Sequence, residues 1–220
     1  MPVTFEQIRN DEKINTYIRR ADASMLAMGY TEHSFAHVTR CAYEASRLLE
    51  QLDYPQRQVE LARIAAYLHD IGNVVNRNDH AHSGALMAFR LLDELGMDPE
   101  ETAVVITAIG NHDEKTAHPV NAVAAALILA DKSDVRRSRV RNEDTIKFDI
   151  HDRVNYAAQT AELDLDREQK TVTLFIRIDT EICAVMDYFE IFTSRMLLCR
   201  KAAQALGLEF KLHINDAVLL

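Results

Sequence analysis

Tryptophan is missing from this chain, and glycine, proline and cysteine are scarce, at 6, 4 and 3 of 220 residues. No repeat and no low-complexity linker is visible. The three cysteines, Cys41, Cys183 and Cys199, are odd in number, far apart and set in apolar helical patterns. They read as reduced core thiols rather than as a disulfide framework or a cysteine zinc site. A basic excess is also missing: the net charge is −9 and the pI about 5.5. Long duplex nucleic acid and anionic membranes, which are held through many Lys/Arg contacts, are therefore not expected partners. The longest apolar run, Ala122 to Ala130, is about half of the roughly 20 residues a membrane helix needs. The opening MPVTFEQIRNDEKINTYIRR lacks the basic end and apolar stretch of a signal peptide. A soluble, cytoplasmic protein is the expectation.

What is present is ample core material, with 48% hydrophobic and 27% charged residues, enough for one large domain or a domain with a small appendage. Ile14, Tyr17, Ala21, Met25 and Met28 recur at helical spacing, with Gly29 as a C-cap. A second helix starts near Ser34 and buries Phe35, Val38, Ala42, Ala45, Leu49 and Leu52, with His37 beside that stripe in its first turn. A third covers about Val59 to His69, and a fourth runs from near His82 to Leu95. Asp98-Pro99-Glu100-Glu101 is a helix start, with Asp as N-cap, Pro in the first helical position and acids in the first turn. The helix it opens ends at Asn111-His112-Asp113. Pro119 opens a sixth, apolar all round to Ala130, as expected at the centre of a bundle. Asp131 follows at once, and a carboxylate there is costly unless paired, hydrogen-bonded or bound to metal.

After about Phe148 the period changes. Residues 161–166 and 171–178 alternate apolar and polar and are joined by the polar stretch Arg167 to Lys170, which reads as a β-hairpin. Ile182, Val185, Phe189, Phe192, Met196, Cys199, Ala203 and Leu206 then step three, four, three, four. This seam either packs on its own sheet or mediates a homodimer. Leu208, Phe210, Leu212 and Ile214 make a third strand. The expected architecture is mainly α, a six- or seven-helix bundle over residues 1–148 followed by a small α+β (ββαβ) module over 149–220.

The stretch YLHDIGNVVNRNDHAH, Tyr67 to His82, plants His69 and Asp70 side by side where a buried helix meets a loop. Alone, such a pair is as compatible with a surface dipeptide as with a metal site. But His37, His69-Asp70, His82, His112 and Asp131 all fall at the ends or inner faces of successive helices, which is how a helical bundle builds a metal centre. Imidazole and carboxylate suit divalent ions such as Mn, Fe, Co, Ni or Zn, and carboxylate also suits Mg.

The order H…HD…H…H…D, with HDIG at its heart, resembles the HD superfamily of metal-dependent phosphohydrolases. The words HSFAHV, LHDIG, HSGA, IGNHDE and ILADKSD carry the resemblance over roughly residues 30 to 140. It implies that His37, His69, Asp70 and Asp131 bind one divalent ion and that Asp70 bridges to a second held by His82 and His112. Asp70 would then orient a metal-activated hydroxide for in-line attack on a small phosphate ester, nucleotide or dinucleoside polyphosphate. The same ligands also serve diiron oxygenases of the superfamily, and a non-catalytic sensor or scaffold dimer is a third reading. Asn73 stands where many members have Lys, Asp113 where some have a second His, and no GYP triad follows the HD pair, which argues against the cyclic-dinucleotide branch.

Neighbouring residues leave alternatives. His33 shares a helix face with His37 and could substitute for it. His80 could replace His82, although Ser83-Gly84-Ala85 opening a helix favours His82. His118, His151-Asp152 and His213 read as rim, loop or outward positions. The basic run Lys132, Arg136, Arg137, Arg139 and Arg141 is either a solvated face or, through Lys132 and Arg136 four apart, a phosphate grip.

Overall fold

The computed structural model describes residues 2–141, 149–215 and 217–218. Among the described residues, seven α-helices precede residue 142. The first expected helix is α2 (Glu12–Ala27), capped by Asp11, and an unexpected α1 (Phe5–Asn10), with a Thr4–Gln7 capping box, precedes it. Gly29 at φ +80° ends α2 in the left-handed region that glycine enters without strain. Ser34 caps α3 (Phe35–Gln51), and α4 (Gln56–Leu68) packs along it. A short 3-10 turn, Ile71–Val74, leads to α5 (His80–Glu94). Asp98 accepts from the Glu100 and Glu101 amides at the start of α6 (Pro99–Gly110). Asn121, rather than Pro119, caps α7 (Ala122–Ser133), in which every residue from Val123 on is buried. That helix lies against α3, α4, α6 and α9, which explains its apolar circumference.

The sequence gives no sign of α8 (Ile150–Ala157), which Asp149 caps. Strands β1 (Ala158–Asp166) and β2 (Thr171–Ile178) form the expected antiparallel hairpin. Helix α9 (Val185–Ala205) crosses back to β3 (Glu209–Ile214), parallel to β2, and a two-residue β4 (Ala217–Val218) completes a sheet of order β1-β2-β3-β4. Phe192, Met196, Cys199 and Ala203 of the α9 seam are all buried within the chain. The open edge of β1 is covered by α3: Arg40 and Arg47, seven apart, donate to the Ala161 and Leu163 carbonyls at 2.8 and 2.7 Å. One apolar core runs from Val3 to Ile214. The expected boundary at residue 148 lies outside the described residues. No helix among the described residues is long and apolar enough to cross a membrane.

Gly72 fixes how the turn after α4 meets α5. A Cβ there would overlap the His80 carbonyl oxygen and the Gly84 amide nitrogen, both rigid main chain. Gly84 answers from the other side: a Cβ on it would sit 3.2 Å from the His69 carbonyl oxygen. The two glycines let the 69–72 turn and the first turn of α5 touch backbone to backbone. Gly72→Ala is therefore expected to cost at least the roughly 1–3 kcal/mol of an overpacked core, read as a lowered Tm.

Candidate metal centre

Five imidazoles and three carboxylates gather where α3, the 69–74 turn, α5, α6 and α7 meet. His37 is fully buried on the first turn of α3, and His69 ends α4. Asp70 opens the 3-10 turn, His80 opens α5, His112 follows α6, and Asp131 sits in the last turn of α7. Around Asp70 the contacts divide. Its Oδ2 faces His69 Nε2 at 3.2 Å and His37 Nε2 at 3.5 Å; its Oδ1 faces His80 Nε2 at 3.5 Å and His112 Nε2 at 4.0 Å. Asp131 Oδ1 lies 3.4 Å from His37 Nε2 and 3.7 Å from His69 Nε2.

The outer ring nitrogens decide what these contacts mean. Nδ1 of His69, His80 and His112 lies 2.7, 3.0 and 2.6 Å from the carbonyls of Ala66, Arg77 and Ile109. A neutral ring must donate from Nδ1 to such an acceptor, so each Nε2 carries a lone pair and points inward. His69 Nε2 is buried with no hydrogen-bond partner. His80 and His112 bring two such lone pairs to 3.1 Å from one another. Imidazole lone pairs and carboxylate oxygens thus converge on one point, an arrangement that a divalent cation satisfies. Candidate ligand atoms of His69, Asp70 and His112 lie within 4.8 Å of one another, as do those of His37, His69 and Asp131 with the Cys41 thiol.

Charge follows the same pattern. Burial pushes the pKa of His112 and His33 well below the imidazole value and lowers that of His80. Burial works against ionisation of Asp70, but the His69 and His33 imidazoles outweigh it and hold the carboxyl well below its usual range. Burial likewise opposes Asp131, which Lys132 and His37 keep ionised. His37 goes the other way: burial opposes it, but the Cys41 thiol and the Asp131 and Asp134 carboxylates hold it well above the usual imidazole value.

His82 is a correction: it is exposed on the outer face of α5, and His80 stands against Asp70 and His112 in its place. The helix begins two residues earlier than its apolar pattern suggests, after Asp79 in the left-handed conformation, so the first helical residue points inward. Arg136 is a second correction. Helix α7 stops at Ser133, so Lys132 and Arg136 do not share a helix face. Arg136 instead gives its Nε to Asp134, one Nη to Ser138 and the other to Glu32. Lys132 stays at the centre, 2.7 Å from Asp131 Oδ2. His33, beside His37, and Asp113 line the cavity without contacting Asp70 or Asp131 directly.

Two supporting residues escaped the sequence reading. Asp134 Oδ2 accepts from His37 Nδ1 at 2.7 Å and is itself held by Arg40 at 3.2 Å and Arg136 at 2.9 Å. Asn73, present where a Lys was looked for, donates to Asp70 Oδ1 at 2.8 Å. A cavity of about 750 Å³ opens over the cluster, walled by the segments that follow α2 and α6 and by α7, α8 and α9.

Known proteins are similar to this chain over the same region. The family described as the HD domain matches residues 34–136, a span that contains His37, His69, Asp70, His80, His112 and Asp131. An uncharacterized protein of Methanocaldococcus jannaschii is 25% identical over 170 residues, covering 67% of this chain and 65% of that one. A Bacillus subtilis protein named "Putative phosphohydrolase YueE" is 36% identical over 103 residues, covering 40% of this chain and 57% of that one. The chain thus spans less than two thirds of either relative.

Two substitutions check the geometry. His80→Ala should lower the content of divalent metal in protein purified without chelator, while His82→Ala should leave it unchanged, as read by elemental analysis. Asp134→Asn should weaken metal binding by about 10–100-fold, the usual loss when the partner of a ligating histidine is removed.

Proposed function

We propose, from the match of residues 34–136 to the HD-domain family, that this chain is a metal-dependent phosphohydrolase acting on a small phosphate ester such as a nucleotide. The observation that carries the reading is the convergence of imidazole Nε2 lone pairs on a carboxylate whose two oxygens face different histidine pairs. His37, His69, Asp70 and Asp131 would hold one divalent ion, and Asp70, His80 and His112 a second. Such ions would supply positive charge to a phosphoryl oxygen and make water a stronger acid near neutral pH.

The chain's own residues do the rest. Asp70 is the shared carboxylate, and the amide of Asn73 fixes the direction of its Oδ1. The carbonyls of Ala66, Arg77 and Ile109, and the carboxylate of Asp134, lock the rings so that every Nε2 faces inward. Lys132, in contact with Asp131 and lining the cavity, offers a cation at the place where a phosphate would sit. No serine or cysteine nucleophile is required. A cavity of about 750 Å³ suits a small-molecule ligand.

The test pairs elemental analysis with phosphate release from a nucleotide panel under added Mn, Co or Mg. Metal-dependent release is expected, and Asp70→Ala should lower both metal content and turnover by more than the roughly 100-fold that loss of a supporting residue costs. Metal-loaded protein that releases no phosphate while consuming O₂ would replace hydrolysis by oxygenase chemistry. Chelation should also lower Tm, since an ion that binds only the folded chain stabilises it by mass action.

A further inference from the structure

Most arginines near the cluster are engaged. Arg40 and Arg136 are committed to Asp134, and Arg139 to the carbonyls of Glu32 and Asp134. Two arginines that line the cavity are not used up in this way. Arg77, on the segment between the 3-10 turn and α5, lies 5.8 Å over the Tyr30 ring and makes its polar contacts through Nη1: 3.2 Å to Asn73 Oδ1, 3.4 Å to His80 Nε2 and 4.0 Å to Asp70 Oδ1. Its Nε and Nη2 have no acceptor among the described residues. Arg195, on α9, gives only Nε, to Glu114 Oε1 at 2.8 Å, with its guanidinium 4.2 Å over the Phe192 ring. Both of its terminal nitrogens lack acceptors among the described residues, and Arg195 also lines the cavity.

Glu114 ties these groups together. It lies two residues past His112, holds Arg195, and stands 3.8 Å from the Lys132 ammonium. The Arg195 guanidinium is thereby aimed from the C-terminal module toward the site while its terminal donors remain uncommitted. Packing on Phe192 fixes the plane of the fork. In a chain of net charge −9, two incompletely paired guanidinium groups in one cavity, beside a lysine, mark a place for an anion. Forked donors match the paired oxygens of a phosphoryl group better than a point charge does.

We propose that Arg195 and Arg77, reaching the cavity from different walls, grip the non-bridging oxygens of the phosphoryl group that the cluster acts on, so that the C-terminal module completes the substrate site. This rests on the reading that the ligand carries a phosphoryl group. It gives α9 a binding role and makes the two parts of the chain interdependent in function.

Inorganic phosphate is the probe, titrated calorimetrically into the full, metal-loaded chain. Arg195→Ala and Arg77→Ala should each weaken phosphate binding by about tenfold or more, the scale of a charge-assisted hydrogen bond, with metal content unchanged. Arg195→Lys should recover part of the loss. Should Arg195→Ala fold poorly, phenylglyoxal modification of the wild-type chain, mapped by mass spectrometry, gives the same answer: phosphate should protect both arginines. Undiminished phosphate binding in both Ala variants, no phosphate binding by the metal-loaded wild type, or equal modification with and without phosphate would overturn the grip. Arginine-dependent phosphate binding without cleavage of any ester would leave the grip standing and remove the hydrolase reading. Ester cleavage with unchanged KM in both Ala variants would do the reverse.

Discussion

One buried carboxylate, Asp70, sets the constraint under which the rest of this molecule is built. It is 5% exposed, takes one hydrogen bond from Asn73 and faces Nε2 of four imidazoles, three of which give their outer proton to a main-chain carbonyl. Each buried polar group without a partner costs about 1–3 kcal/mol, and several such groups together approach the 5–15 kcal/mol by which a domain is typically stable. A cation resolves that conflict, and without one the core would have to take up protons. The surrounding architecture keeps the groups in place: α7 runs apolar through the centre, and the Gly72–Gly84 contact brings the His69-Asp70 turn against the start of α5.

The way the ring nitrogens are held is also informative. Three histidines use main-chain carbonyls of the residue three positions earlier, so their tautomer is set by the local turn in which each sits. His37 alone uses a side chain, Asp134, which is clamped by arginines from α3 and from the segment after α7. The basic run after Asp131 therefore serves the structure behind the site more than the substrate in front of it. Arg136 and Arg139 neutralise the buried Asp134, and burying that carboxylate without them would be expensive.

Much of this was legible in the sequence, because helical periodicity and capping residues are local signals. Asp98-Pro99, Ser34 and the apolar run before Asp131 each announced an element that is present, and the alternation at 161–178 announced the hairpin. His80 was less legible. The apolar pattern of α5 becomes regular only after His82, while the helix starts at His80 because Asp79 adopts a left-handed conformation and Gly72 packs on the first turn. Neither fact shows in periodicity. Arg136 misled because four-residue spacing implies one face only if the helix continues, and it ends at Ser133. Arg195 carried no local signal at all: its meeting with Glu114, 81 residues earlier, is a product of tertiary packing.

The central claim is that Asp70 sits at a metal centre completed by His80. The most direct test is a crystal grown with manganese and measured for anomalous scattering. The account predicts anomalous density within coordination distance of the Asp70 carboxylate, bounded by Nε2 of His37 and His69 on its Oδ2 side and by Nε2 of His80 and His112 on its Oδ1 side. Density bound by His82, or a cluster closed on itself with no anomalous signal at Asp70, would contradict it.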